Sequence, residues 1–193
     1  WAYKGSVADS IKERVKAAGG DVEGDLRCSL SWFNRDDLDI HLKCPGNVRI
    51  YYGDKRPGGT TGKLDVDMNA GGISSLTPVE NITFPDASRI KPGKYELIVN
   101  NYCARDLENV GCEVEIEFMG KLTTFYYPKP VLNGKSVTIA VFEYTKAGEL
   151  NIISSVDSAP VSLKTWGINT MHFHPCLLYT SDAADDMQCV DLG

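Results

Sequence analysis

The spacing of apolar residues changes once along the chain, near residue 25. Between residues 6 and 18 an apolar side chain recurs every four positions, at Val7, Ile11 and Val15, which predicts one amphipathic helix. Ser6 with Asp9 three residues later resembles a capping box, and Gly19 follows the last turn. Because so short a helix needs a surface to pack on, residues 1–24 are predicted to be a helical lead-in to a larger fold.

From residue 25 onward apolar and polar residues alternate, the pattern of strands with one apolar face. The alternating segments are 26–33, 37–42, 48–52, 64–69, 82–84, 95–100, 113–118, 122–127, 137–144 and 150–154. Short strands with regular turn signals predict a mainly β protein, an antiparallel β-sandwich of jelly-roll type over residues 25–154. We expect one face of each strand to meet the core and the other to meet water.

The same alternation predicts which side chains point inward. They are Leu26, Leu30, Trp32, Leu38, Ile40, Val66, Leu97, Val99, Val114 and Ile116.

Residues 155–175 are predicted to be a linker or the start of a further, truncated segment. Residues 176–193 resemble a translated sequencing adapter, because two constant adapter blocks match in one reading frame, at 176–185 and 190–193. We interpret this stretch as an artefact; a natural acidic tail is the alternative. It holds four Asp and neither Lys nor Arg, so the formal net charge of −6 becomes −2 for the rest of the chain.

That charge gives no argument for a nucleic-acid partner. No apolar run approaches the roughly 20 residues of a membrane span, so no membrane span is expected. Outside the tail four cysteines remain, at Cys28, Cys44, Cys103 and Cys112. None has the CxxC spacing typical of zinc sites. A disulfide between Cys103 and Cys112, in an oxidising compartment, and free thiols remain alternatives.

Several short motifs follow one another in a fixed order along the predicted strands. They are Ser31-Trp32, Asp37-Leu38-Asp39-Ile40-His41, Ile50-Tyr51-Tyr52-Gly53, Leu64-Asp65-Val66-Asp67, Pro78-Val79-Glu80-Asn81-Ile82, and Pro92-Gly93-Lys94-Tyr95 with Val99-Asn100-Asn101-Tyr102. In this order they resemble the DUF2135 or YfaP-like domains, an uncharacterised family of bacteria and their phages. The resemblance covers residues 25 to about 144. It implies a fold and a place in a larger phage or bacterial protein, and no established activity.

Two rows of acidic side chains are the candidate chemistry. Asp37, Asp39 and His41 lie two residues apart and share one face of a strand, and Asp65, Asp67 and Asn69 do the same on another. Adjacent carboxylates repel one another unless a cation lies between them. Calcium fits best, because it takes six to eight oxygen ligands, and Glu80 and Asn81 could add oxygens. Solvated sheet faces and catalytic carboxylates are the alternatives.

The aromatic residues are a weaker signal. Trp32, Tyr51, Tyr52, Tyr126 and Tyr127 could form a sugar-stacking face, although strand aromatics more often belong to a core.

Three functions therefore stay open. The first is a non-catalytic β-sandwich module, stabilised by calcium, that binds a protein or glycan surface. The second is a metal-dependent hydrolase that uses the Asp clusters. The third is a structural virion or assembly module. Convergence of the acidic side chains on a concave pocket would favour catalysis over a flat binding face.

Overall fold

The computed structural model describes residues 10–72, 74–106 and 110–156, and the backbone of three short strands after them. One helix, α1, spans Ile11–Ala17. The strands are β1 Leu26–Ser31, β2 Asp37–Cys44, β3 Val48–Ile50, β4 Lys63–Asp67, β5 Val79–Phe84, β6 Gly93–Cys103, β7 Cys112–Phe118, β8 Lys121–Tyr127, β9 Ser136–Tyr144, β10 Leu150–Ser155, β11 Ser158–Ala159, β12 Lys164–Thr165 and β13 Ile168–Asn169. A 3-10 turn, Ala87–Arg89, precedes β6.

Helix α1 begins later than the spacing predicted. Ser10 is its N-cap, in an extended conformation, and its hydroxyl accepts a hydrogen bond of 3.2 Å from the N–H of Glu13. The cap predicted at Ser6 lies outside the described residues. Ile11 and Val15 are buried, as their four-residue spacing indicated.

The strands form two antiparallel sheets that face each other, so the predicted β-sandwich is confirmed. One sheet has the order β11-β8-β7-β1-β5-β4 and the other β10-β9-β6-β2-β3, while β12 and β13 pair separately. Between the two sheets lies one hydrophobic core, in which Tyr95 and Phe142 stack with ring centroids 5.1 Å apart. The predicted inward-facing residues are all buried, and all except Val66 belong to this core.

Val66 instead packs under the helix, in a second cluster with Ile11, Val15, Val22 and Val79. The register of β4 against β5 shifts between Leu64 and Val66, a β-bulge. A bulge adds one residue to a strand and so exchanges its faces from that point onward. The alternation of the sequence does not reveal where such a residue is inserted.

The expectation that polar alternate positions meet water is wrong for β1 and β5, which are buried along their whole length. Helix α1 lies against both strands and covers their outer face. Beneath it Arg27, only 1% exposed, pairs with Glu115 at 2.9 Å and Glu117 at 2.8 Å. Lys12 of the helix joins the same Glu117 at 3.0 Å. Buried charges are tolerated when they are paired and hydrogen-bonded in this way.

Strand pairing continues past residue 154, first in the sheet that contains β9 and then in the sheet that contains β8. The N–H of Val156 donates to the carbonyl of Ile139, and Ser158–Ala159 pair with β8. The stretch interpreted as an artefact lies outside the described residues. Within the described part of the chain, the four cysteines are free thiols, and no helix is long and apolar enough to cross a membrane.

Replacement of Ile40 by Ala should lower the free energy of unfolding by about 2–5 kcal/mol, because its side chain is fully buried in the core. The same substitution at Ile153, which is 57% exposed, serves as the matched control and should cost less than about 0.5 kcal/mol. Denaturant unfolding of the two variants measures both values. Equal losses would contradict the assignment of β2 to the core.

Candidate metal centre

The part of strand β2 that carries its acidic residues has a neighbouring strand on one side only. Strand β3 pairs with β2 only from Leu42 to Cys44, so the earlier part of β2 has β6 on one side and, among the described residues, no strand on the other. The N–H of Ile40 therefore lacks a ladder partner there. It donates instead to Glu80 Oε2 of the opposite sheet, at 2.5 Å. This hydrogen bond brings a carboxyl group of β5 to the edge of β2.

Three carboxyl groups meet at this edge. Asp67 and Glu80 are cross-strand partners on β4 and β5, which places their side chains on the same face. Asp39 reaches them from β2. One oxygen of each residue lies within 4.8 Å of the corresponding oxygens of the other two. We call Asp39, Asp67 and Glu80 the acidic cluster.

Each member of the acidic cluster carries a buried oxygen that has no hydrogen-bond partner in the described part of the chain. These atoms are Asp39 Oδ2, Asp67 Oδ1 and Glu80 Oε1. Asp39 is 3% exposed and Glu80 is completely buried. A buried carboxylate oxygen without a donor is costly, so the cluster needs a proton or a cation. The arrangement can therefore hold a metal ion.

The protonation of the cluster reflects this shortage of positive charge. Burial raises the pKa of Asp39 to about 7, and the carboxylates of Asp37 and Asp67 add to the shift. Burial also raises the pKa of Glu80 well above its usual range; nearby Asp39 adds to this, while the N–H of Ile40 opposes it. The nearby carboxylate of Asp67 favours the protonated form of Glu80 too. Protons and a cation thus compete for the same oxygens.

The acidic cluster lies at the floor of an open cavity of about 270 Å³. Asp39 and Asp67 line this cavity together with Asp37, whereas the fully buried Glu80 does not. Two tyrosines, Tyr52 and Tyr102, complete its wall, with ring centroids 5.4 Å apart in an edge-to-face arrangement. The carboxylates therefore converge on a concave pocket.

Two cationic side chains partly balance the carboxylates. Lys55 Nζ lies 2.8 Å from Asp67 Oδ2, and Arg105 Nη2 lies 2.9 Å from Asp37 Oδ2. Burial nevertheless raises the pKa of Asp37, although the charge of Arg105 works against it. Sequence reasoning missed both partners, since each comes from a loop that is distant along the chain from the carboxylate it meets.

Asp36 and Asn69 hold the loops around the pocket. Asp36 Oδ1 accepts hydrogen bonds from the N–H groups of Arg105 and Asp106, at 2.7 and 3.0 Å. Asn69, at a positive φ of 64°, donates to the carbonyls of Asp36 and Ser75 and accepts from the N–H of Ser75. Both atoms of its amide are thus engaged in positioning the loop, and Asn69 as a metal ligand stays a prediction.

Asp65, another predicted ligand, lies apart from the acidic cluster. Its carboxylate accepts hydrogen bonds of 2.8 Å from the N–H of Asp21 and from the amide of Asn81. The bulge in β4 separates Asp65 from the face that carries Asp67, so the predicted row of Asp65, Asp67 and Asn69 is broken. Asn81, the second suggested oxygen donor, lies on the helix side with Asp65.

His41 lies outside the acidic cluster, as part of an aromatic row. Its ring packs edge-to-face against Tyr51, with the ring centroids 5.5 Å apart, and its centroid lies 6.0 Å from that of Tyr52. Burial lowers its pKa to about 4, and the charges of Arg49 and Lys43 add to this effect. Its imidazole is therefore neutral near pH 7.

The comparisons with known proteins assign the chain to no family. No protein-family model and no curated protein sequence matches the chain. Two solved structures are similar over 72% of this chain and 92% of their own, both at 14% identity. One is the crystal structure of a protein of unknown function, SAV2460, with a TM-score of 0.44. The other is a homologue of the telluride resistance protein TerD, SCO6318 of Streptomyces coelicolor A3(2), with a TM-score of 0.42. Similarity at this level carries no argument about the site, and the DUF2135 resemblance stays a prediction.

The metal-free protein should lose stability as the pH rises from about 5 to 8. The pKa of Asp39 is raised by folding, from about 3.9 in an unfolded chain to about 7, so the fold favours its protonated form. The stabilisation is complete below pH 4 and disappears as the pH rises through 7. The lowered pKa of His41 has the opposite effect below pH 6.5, so the informative quantity is the difference from Asp39→Asn.

Urea unfolding in chelator at pH 5 and pH 8 measures this difference. Wild type should lose of the order of 2 kcal/mol more than Asp39→Asn between these pH values. Asp54→Asn, an exposed control, should behave like wild type. Parallel profiles for wild type and Asp39→Asn would mean that Asp39 is ionised in the fold without strain.

Proposed function

We propose that this protein is a non-catalytic β-sandwich binding module whose acidic cluster holds calcium. The observation that carries the proposal is the set of buried, unpartnered oxygens on Asp39, Asp67 and Glu80, which lie within 4.8 Å of one another. Protein donors leave these atoms unsatisfied, and a cation satisfies all of them at once. The three residues come from strands of both sheets, so a bound cation links the two halves of the sandwich.

The chemistry of the ligands favours calcium over other metals. All the available donors are carboxylate oxygens, the ligands of hard cations. Calcium accepts irregular shells of six to eight oxygens, whereas magnesium requires a near-ideal octahedron and retains its water. Asp37, which borders the cavity and has its own unpartnered Oδ1, can add a further oxygen.

Calcium should raise the melting temperature of the protein, because it binds the folded state alone. At about a hundred times the dissociation constant, the gain is about 2.7 kcal/mol, or roughly 5–10 °C for a chain of this size. Thermal unfolding in millimolar calcium against chelator measures the shift, and calorimetric titration measures the affinity. Magnesium should give a smaller shift.

The matched variants are Asp67→Asn and Asp65→Asn, which make the same change two residues apart on β4. Asp67→Asn should abolish most of the calcium shift. Asp65→Asn should lower the melting temperature in both conditions, since its hydrogen bonds to Asp21 and Asn81 are weakened, and should keep the shift. Identical melting curves with and without calcium, and no heat on titration, would refute the proposal.

A metal-dependent hydrolase is the second candidate, favoured by the convergence of Asp37, Asp39 and Asp67 on a concave pocket. There a cation on the acidic cluster would activate a water molecule, with Asp37 as the neighbouring base. Turnover of p-nitrophenyl phosphate or acetate that depends on a divalent cation, and is lost in Asp39→Asn, would replace the binding proposal with this one.

A further inference from the structure

We infer that the cavity above the acidic cluster binds a carbohydrate, with two neighbouring hydroxyl groups of the sugar completing the shell of the bound cation and its C–H face packing on Tyr52 and Tyr102. The inference rests on the proposed function, since it uses the cation as part of the sugar site. It adds the class of ligand that the module recognises.

The coordination shell leaves space for such a ligand. The four unpartnered oxygens, Asp37 Oδ1, Asp39 Oδ2, Asp67 Oδ1 and Glu80 Oε1, are fewer than the six to eight that calcium takes. At least two positions therefore remain for oxygens from outside the protein. Protein surrounds Glu80 completely, so the open positions face the cavity lined by Asp37, Asp39 and Asp67. A vicinal diol supplies two neutral oxygens at adjacent positions.

The charge around the cavity favours a neutral ligand. When a cation replaces the protons, four ionised carboxylates face two cationic side chains, Lys55 and Arg105, which leaves two negative charges. One divalent cation neutralises them. An anionic ligand would then meet carboxylates without further compensation, whereas the hydroxyls of a sugar can donate to those carboxylates and accept from Lys55.

The wall of the cavity supplies the apolar part of the site. Tyr52 is 42% exposed and Tyr102 is 59% exposed, unlike most large aromatic residues of the described chain. The rings of Tyr51 and His41 pack against the ring of Tyr52. The ring centroids of Tyr51 and Tyr52 lie 5.1 Å apart in an edge-to-face arrangement. A rigid, exposed aromatic ring beside polar groups suits the alternating C–H and O–H faces of a sugar.

A carbohydrate fits better than a protein surface. Specific protein interfaces bury about 800 Å² on each partner and are broad, whereas this site is a cavity of about 270 Å³ with its polar groups at the bottom. The structure also changes the aromatic set that the sequence suggested. Trp32 is fully buried, and Tyr51, Tyr126 and Tyr127 do not line the cavity, so Tyr52 is the member of that set that borders it, joined by Tyr102.

The test is binding of the full chain to an array of immobilised mono- and oligosaccharides with free vicinal diols, in calcium and in chelator. We expect binding to a subset of the sugars in calcium alone. Periodate treatment of the array, which cleaves vicinal diols, should abolish it. Binding that survives periodate or chelator would overturn the inference, as would binding only to unglycosylated proteins spotted on the same array.

Variants assign the binding to this cavity. Tyr102→Ala should weaken binding of the sugar selected on the array by about three- to tenfold and leave calcium affinity unchanged. Tyr126→Ala, on the other sheet, is the control and should change neither. Equal sugar affinity in Tyr102→Ala and wild type would overturn the inference.

Calorimetric titration of calcium without sugar separates the two proposals. Calcium binding without any sugar binding would overturn the carbohydrate inference and leave the calcium module standing. No calcium binding would overturn both.

Discussion

The hydrogen bond from the N–H of Ile40 to Glu80 is the constraint on which the candidate site depends. It satisfies a backbone donor that strand β3 leaves without a partner, and it crosses from one sheet to the other. In doing so it fixes a carboxyl group in a completely buried position with one oxygen unsatisfied. Asp39 and Asp67 lie beside this carboxyl group, whose position the hydrogen bond fixes. The cavity opens above the three residues.

This arrangement explains why the site is strained without a ligand. Buried carboxylates that face one another are unfavourable when all are ionised, and the raised pKa of Asp39 and of Glu80 expresses that cost. Lys55 and Arg105 reduce it from the rim, because each pairs with a carboxylate that lines the cavity. In the proposed function a cation bound at the floor would remove the remaining imbalance, and the exposed tyrosines give the cavity an apolar wall. The proposed binding of an ion and the proposed recognition of a ligand would therefore depend on the same carboxylates.

The rest of the sandwich supports the site by keeping its loops and sheets in register. Helix α1 covers the outer face of β1 and β5. Its Lys12 pairs with Glu117, which also pairs with the buried Arg27. Asn69 and Asp36 join the loops that precede and follow the acidic strands, through hydrogen bonds that use every polar atom of the Asn69 side chain. Loops anchored in this way can present charged groups such as Arg105 at defined positions.

The alternation of apolar residues by itself determined that the chain forms strands and that the sandwich is antiparallel. It also identified side chains that enter the core, such as Leu30 and Ile40. These features follow from local periodicity, because each strand must bury one face. The acidic rows of β2 and β4 also pointed to Asp37, Asp39 and Asp67. Only the tertiary structure decided that Asp65 belongs to the helix side, because a bulge in β4 changes the face without a signature in the sequence. It alone decided the burial of Glu80 and the partnership of Lys55 and Arg105, since these depend on which strand lacks a neighbour and which loops meet in space.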